Sequence, residues 1–204
     1  FNYNKLVNLF IFENENDIKN NTIEGIYCKL LKSNIIYLFY LTGKENISKI
    51  AIPPSIISIS DSMFNGCLSL EKVTGLSSVI SIENSAFLNC KSLNSILDLN
   101  SLVLVGKTAF GGCSSLKQIS VSSSLKTIED SAFYECSSLE RINELFSSTS
   151  NSSPIEDELK ISLVGKYAFY KCKKLIQFSV PSSSTLIGEF AFSECESLMK
   201  IEIP

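Results

Sequence analysis

A spacing of 23 residues recurs along this chain and leaves it little choice of architecture. An Ala-Phe or Met-Phe pair stands at Met63-Phe64, Ala86-Phe87, Ala109-Phe110, Ala132-Phe133, Ala168-Phe169 and Ala191-Phe192. A cysteine follows each phenylalanine by three residues (Cys67, Cys90, Cys113, Cys136, Cys172, Cys195), and a leucine follows each cysteine by three (Leu70, Leu93, Leu116, Leu139, Leu175, Leu198). Four of the five intervals between phenylalanines are 23 residues; the fifth, from Phe133 to Phe169, is 36. A fixed period in the low twenties marks a solenoid, in which no unit can bury its apolar face alone and each does so against its neighbours.

Each unit divides into four parts, clearest from Leu116 to Leu139. Leu116-Lys117-Gln118-Ile119-Ser120-Val121 has the leucine-rich-repeat strand form, apolar at the first, fourth and sixth positions with the residues between turned to solvent. A polar bend, Ser122 to Ser124, leads to a second extended piece whose inward residues are Leu125 and Ile128. Over Asp130 to Ser138 the spacing of Ala132, Phe133 and Cys136 predicts one or two helical turns with those three on one face. The expected fold is an α/β repeat: a leucine-rich-repeat solenoid with a parallel β-sheet on its concave face, and short extended pieces and helical turns on the other side.

Residues 1–47 do not fit the register and read as a β-rich N-terminal cap or degenerate first repeat, with extended runs at Ile26–Leu31 and Ile35–Leu41. A solenoid needs a non-standard unit over an open terminal face. About six repeats then fill 48–204. The long interval carries 13 extra residues around 146–159, a serine-rich and acidic stretch expected to leave the solenoid as a loop, either tolerated there without a partner or enlarging a binding surface. The chain opens on Phe1 and closes on Ile201-Glu202-Ile203-Pro204, the start of a further repeat, so both ends are expected to be cut.

Composition narrows the chemistry. Histidine is absent, which removes Ser-His-Asp and Cys-His nucleophilic systems, histidine metal sites and the usual near-neutral acid-base residue. Of the seven cysteines six hold one repeat position, so they are expected to be stacked, buried free thiols and not the close pairs of a zinc site; Cys28 stands outside the column. No phosphate-binding glycine loop is present, and Glu13-Asn14-Glu15-Asn16-Asp17 lacks the glycine and distal glutamate of a calcium loop. No cofactor and no metal is expected. A formal net charge of -3 gives no basic field for nucleic acid, and the run Ile35–Leu41 is far short of a membrane span. Sequons stand at Asn20, Asn46 and Asn151.

The remaining candidate is a surface. The strand register predicts a solvent-facing lane of Lys49 and Ala51, Lys72 and Thr74, Ser95 and Leu97, Gln118 and Ser120, Arg141 and Asn143, Gln177 and Ser179, Lys200 and Glu202. That lane holds four cations and one acid in an otherwise acidic chain. Of these, Lys72, Thr74, Gln118, Ser120, Arg141, Asn143, Gln177, Ser179, Lys200 and Glu202 are the candidate partner-binding residues. A rigid sheet presents them at fixed spacing, which lowers the ordering cost of binding.

The pattern Ile-Gly/Glu-x-x-Ala-Phe-x-x-Cys-x-x-Leu-x-x-Ile-x-Ile-Pro is fullest from Ile187 to Pro204 and is supported by Ile52-Pro53-Pro54-Ser55 and Val180-Pro181-Ser182-Ser183. It resembles the BspA-like leucine-rich repeats over about residues 47–204, though Ser122 and Asn100 replace the pattern's proline and the insertion departs from it. The resemblance implies a cell-surface or secreted protein used in adhesion, a surface-antigen type of molecule without catalytic residues. The expected function is therefore a non-enzymatic binding module recognising a protein or glycan partner through the concave sheet face. An intracellular scaffold or regulatory protein in the cytoplasm is the alternative, favoured by unpaired cysteines. An enzyme is the third reading. Ligand identity and oligomeric state stay open at this level.

Overall fold

The computed structural model describes residues 27–30, 36–40, 47–52, 54–121, 123–144, 161–179 and 186–202. Its strands, in chain order, are β1 (Tyr27–Leu30), β2 (Ile36–Tyr40), β3 (Lys49–Ala51), β4 (Ser58–Ile59), β5 (Lys72–Thr74), β6 (Ser81–Ile82), β7 (Ser95–Leu99) and β8 (Leu104–Val105). They continue with β9 (Gln118–Val121), β10 (Thr127–Ile128), β11 (Arg141–Glu144), β12 (Leu163–Val164), β13 (Gln177–Ser179), β14 (Leu186–Ile187) and β15 (Lys200–Glu202).

Successive coils superpose these strands into two parallel ladders. The first-strand sheet runs β11-β9-β7-β5-β3, with β13 and β15 paired separately. The second extended pieces form a sheet of their own, β1-β2-β4-β6-β8-β10-β12-β14. At its start β1 pairs antiparallel with β2, and Tyr37 of β2 pairs in parallel with Ser58 of β4. Cys28 lies on β1 opposite Leu38. The expected polar segment before residue 22, the loop at 146–159 and the three sequon asparagines lie outside the described residues.

The interior is a set of columns. Within one coil Leu116, Ile119, Val121, Leu125, Ile128, Ala132, Phe133 and Cys136 are all buried. Their equivalents lie one strand spacing away, about 4.8 Å. The phenylalanine rings Phe64, Phe87, Phe110, Phe133 and Phe169 are fully buried and follow one another at 5.0 to 5.2 Å, with Phe87, Phe110, Phe133 and Phe169 within 2 to 7° of parallel. Strand spacing forces the rings into offset stacks, an arrangement aromatic quadrupoles favour.

The cysteine column is tied to the phenylalanine column through sulfur. Cys90, Cys113 and Cys136 each donate an Sγ hydrogen bond of 3.0 Å to the carbonyl of the phenylalanine one coil back, Phe64, Phe87 and Phe110. Cys172 and Cys195 do the same to Phe133 and Phe169 at 3.1 Å. All six column cysteines are free of disulfides. Burial pushes the Cys113, Cys136 and Cys172 thiols up; contact with the Cys113 thiol, and burial with it, raises Cys90. The less enclosed Cys195 is pushed by burial to about 11.

The segment before each cysteine differs from expectation. The described residues contain no helix; Asp130 to Ser138 is a run of turns. Ser131 and Glu135 are left-handed, at φ 56° and 57°, which a right-handed helix cannot accommodate. The amides of Ser131, Phe133 and Glu135 donate outward to Lys166, Ala168 and Tyr170 of the next coil, at 2.8, 2.7 and 2.8 Å. Those of Ala132, Tyr134 and Cys136 bond back within the coil, to Glu129, Ser131 and Phe133. The other coils repeat this alternation, as in Ser85, Phe87 and Asn89 donating to Lys107, Ala109 and Gly111. The turn side is thus a third hydrogen-bonded ladder, and its bonds offset the roughly 1–2 kcal/mol that each left-handed residue costs. Ala132, Phe133 and Cys136 still share the buried face that the spacing predicts.

The 36-residue interval leaves the core undisturbed. Phe133 and Phe169 stack at 5.2 Å and 3°, and Thr127 and Ile128 of β10 pair with Leu163 and Val164 of β12. Among the described strands the first-strand sheet is interrupted there, between β11 and β13.

Candidate partner-binding face

Val73, Ile96 and Ile119 are the inward residues of β5, β7 and β9, and alternation turns the residues beside them away from the core, Ser120 excepted. Register pairs Lys49 with Lys72, Lys72 with Ser95, Ser95 with Gln118 and Gln118 with Arg141, and separately Gln177 with Lys200. Lys49, Lys72, Arg141, Gln177 and Lys200 are exposed; Ser95 and Gln118 are half-buried. The second outward column is less regular. Ala51 and Thr74 pair in it and are half-buried, while Asn143, Ser179 and Glu202 are placed by backbone pairing alone.

One predicted member does not reach the surface. Ser120 is buried, with 7% of its surface exposed. It lies opposite β7, whose register against β9 slips between Ile96 and Leu99, so that Leu97 and Asp98 both stand opposite Ser120. Two residues of β7 there oppose one short serine, and Leu97 keeps its outward placing, 39% exposed. Asp98 takes φ 63°, and Gly75 takes φ 77° at the equivalent corner one coil earlier, where a Cβ would lie 2.1 Å from the Ile52 carbonyl oxygen.

Electrostatics separate this face from the turn side. Among the described residues Lys49, Lys72 and Arg141 form no ion pair. On the turn side the pairs run from coil to coil: Lys107 with Asp130 at 3.8 Å, Lys166 with Glu189 at 2.8 Å, Lys171 with Glu135 at 3.4 Å and Lys173 with Glu196 at 2.8 Å. The hydrogen bond with Glu189 raises Lys166 and lowers Glu189 in return. Aromatic residues stack there too, Tyr134 on Tyr170 at 5.4 Å and Tyr167 on Phe190 at 5.2 Å. Carboxylates extend the backbone ladder: Asp61 and Asp130 Oδ1 accept the amides of Asn84 and Lys166, at 2.8 and 2.9 Å.

Among the described residues no three His, Cys, Asp or Glu side chains are grouped to hold a metal, and no helix is long and apolar enough to cross a membrane. Beside Lys49 and Lys72 the face has a shallow hollow lined also by Ile50, Ala51 and Thr74. Sequence reasoning found the column but missed the bulge, whose signal is the Leu97-Asp98-Leu99 run standing where the previous coil has Thr74-Gly75-Leu76.

The sequence profile of the BspA type leucine rich repeat region matches the chain in six copies, over residues 34–152 and 142–204. Among solved structures, a leucine rich cell surface protein from Faecalibacterium prausnitzii is 24% identical with a TM-score of 0.67, covering 87% of this chain and 53% of that one. A leucine-rich repeat protein from Bacteroides ovatus is 23% identical with a TM-score of 0.61, covering 91% and 53%. A leucine rich repeat protein of T. pallidum is 22% identical with a TM-score of 0.51, covering 88% and 69%. At these identities the likeness establishes the fold. The chain spans about half the length of the first two. No curated protein matches it.

Proposed function

Since the chain belongs to the BspA-type leucine-rich-repeat family, we propose that it is a non-enzymatic binding module at a cell surface or in secreted form. It acts in adhesion by holding a protein or glycan partner on the first-strand sheet. The observation that carries this reading is the cation column. Lys49, Lys72 and Arg141 are held in backbone register on a fixed sheet, exposed, and without ion-pair partners among the described residues. The fold does not need them, because Ser95 and Gln118 occupy the same column. Side chains preorganised by a rigid ladder lose little freedom on binding, so such a column favours association. Gln177 and Lys200 pair with one another on β13 and β15 beyond the insertion.

The test is adhesion of the purified chain to a panel of cells, matrix proteins and glycans. Replacing Lys72 and Arg141 together by alanine should abolish the binding seen with the native chain while leaving its thermal midpoint in place. Undiminished binding to every member of the panel would remove the sheet face from the reading.

The thiol column supports a second reading, an intracellular scaffold, because free cysteines suit a reducing compartment. Their burial and their bonds to the phenylalanine carbonyls supply a packing reason for the thiols that is independent of compartment. Intact mass of the chain from its native source distinguishes the two: glycan on Asn20, Asn46 or Asn151 places it in a secretory route.

A further inference from the structure

Lys49 and Lys72 are direct register partners on adjacent parallel strands, with backbones about 4.8 Å apart. Like charges opposed on one sheet face repel, and among the described residues no carboxylate pairs with either. The hollow beside them offers the Thr74 side chain at one edge and the apolar Ile50 and Ala51 as its other lining. On the neighbouring strand β7, at the position equivalent to Thr74, Leu97 stands 39% exposed at the start of the bulge. Strand order thus puts an exposed leucine one strand from Lys72 and two strands from Lys49, and neither lysine has an ion-pair partner among the described residues.

We propose that this corner of the sheet is a docking site for a short acidic and apolar segment of a protein partner. Adjacent Asp or Glu carboxylates would seat between Lys49 and Lys72, and a neighbouring apolar side chain would rest on Leu97. The proposal rests on the sheet-face reading above and adds the chemistry of the ligand to it. Sulfated glycan supplies anions as well, but Leu97 calls for an apolar contact. Glu71, just before β5, and Asp98, on β7, are both exposed and would repel a long polyanion that runs past the lysines. A segment with two acids and then an apolar residue meets the lysines and the leucine without meeting those carboxylates.

The experiment is selection of random dodecapeptides displayed on phage against the immobilised chain, followed by fluorescence anisotropy with the selected peptides and with a heparin oligosaccharide. The selected sequences should share paired acids beside a leucine, isoleucine or phenylalanine. Lys49→Glu with Lys72→Glu should weaken their binding by about a hundredfold, about tenfold for each charge-assisted hydrogen bond removed. Leu97→Ser should weaken it by about tenfold, and rising NaCl should do so progressively as screening shortens. Lys49→Gln with Lys72→Gln is the milder pair should the charge reversal disturb folding, which circular dichroism checks. No enrichment, enrichment of neutral or basic peptides, acidic peptides unaffected by the lysine pairs, or binding of heparin alone would each overturn the proposal. If it falls while the Lys72 and Arg141 variant still loses the adhesion partner, the sheet-face reading stands. If that variant keeps every partner, the reading itself fails.

Discussion

The interior phenylalanine column and the surface column of Lys49, Lys72, Ser95, Gln118 and Arg141 come from the same periodicity and obey opposite rules. Inside, the same ring returns in every coil and stacks at 5.0 to 5.2 Å. Outside, the backbone register is just as regular, yet the residue changes from coil to coil. A buried position must match the volume above and below it, and protein interiors leave no space for a misfit. An exposed position has only to tolerate water. The turn side lies between the two: its charges vary in identity but pair across coils, Lys166 with Glu189 and Lys173 with Glu196. Lys49 and Lys72, without ion-pair partners among the described residues of a chain that pairs lysines elsewhere, contribute nothing evident to the fold.

The contrast breaks most easily under alkaline conditions, where the interior should yield first. Burial holds Cys113, Cys136 and Cys172 above the ordinary thiol value of 9.0. Above that pH the unfolded chain releases these protons and the folded chain retains them. Stability is therefore complete below the unfolded value and falls as pH rises past it, by about 1.4 kcal/mol per pH unit for each thiol. Thermal melts should hold their midpoint to about pH 8 and then lose it steeply, and replacing the three cysteines by alanine should flatten the alkaline limb. An alkaline limb equally steep without them would show that the thiol column is not its cause.

Phe110→Ala, in the middle of the ring stack, should cost about 3–5 kcal/mol in urea unfolding. Phe192→Ala should cost clearly less, because Phe192 is only partly buried. Equal losses at the two sites would contradict a core organised as a column. Gly75→Ala tests the corner where interior and face meet. Its Cβ would collide with the Ile52 carbonyl and its φ of 77° is left-handed, so the change should cost roughly 1–3 kcal/mol. The smallest effect on stability belongs to the face: Lys72→Ala with Arg141→Ala should leave the urea midpoint unmoved while adhesion is lost. A large loss of stability in that variant would mean that the column serves the fold after all.

Much of this molecule is legible residue by residue. The Phe, Cys and Leu columns, the inward pattern of Leu116, Ile119 and Val121, and the outward placing of Lys72 and Arg141 all follow from spacing. The expected helical turns do not, because face-sharing by Ala132, Phe133 and Cys136 is satisfied equally by a chain of turns. The choice between them rests on where the amides of Ser131, Phe133 and Glu135 find acceptors, and those acceptors belong to another coil. Ser120 is buried where the neighbouring strand bulges opposite it, and that register belongs to another coil.

The sequence by itself determined the repeat, its period and the set of side chains that must be buried, since apolar periodicity is a local property that water enforces on any chain able to coil. Only the tertiary structure decided how the backbone between those side chains is satisfied: two strand ladders, a third ladder of left-handed turns, sulfur bonds to the phenylalanine carbonyls, and a bulge opposite the buried Ser120. Each depends on a donor and an acceptor, or two opposed residues, brought together from separate coils, and no single stretch of sequence contains both.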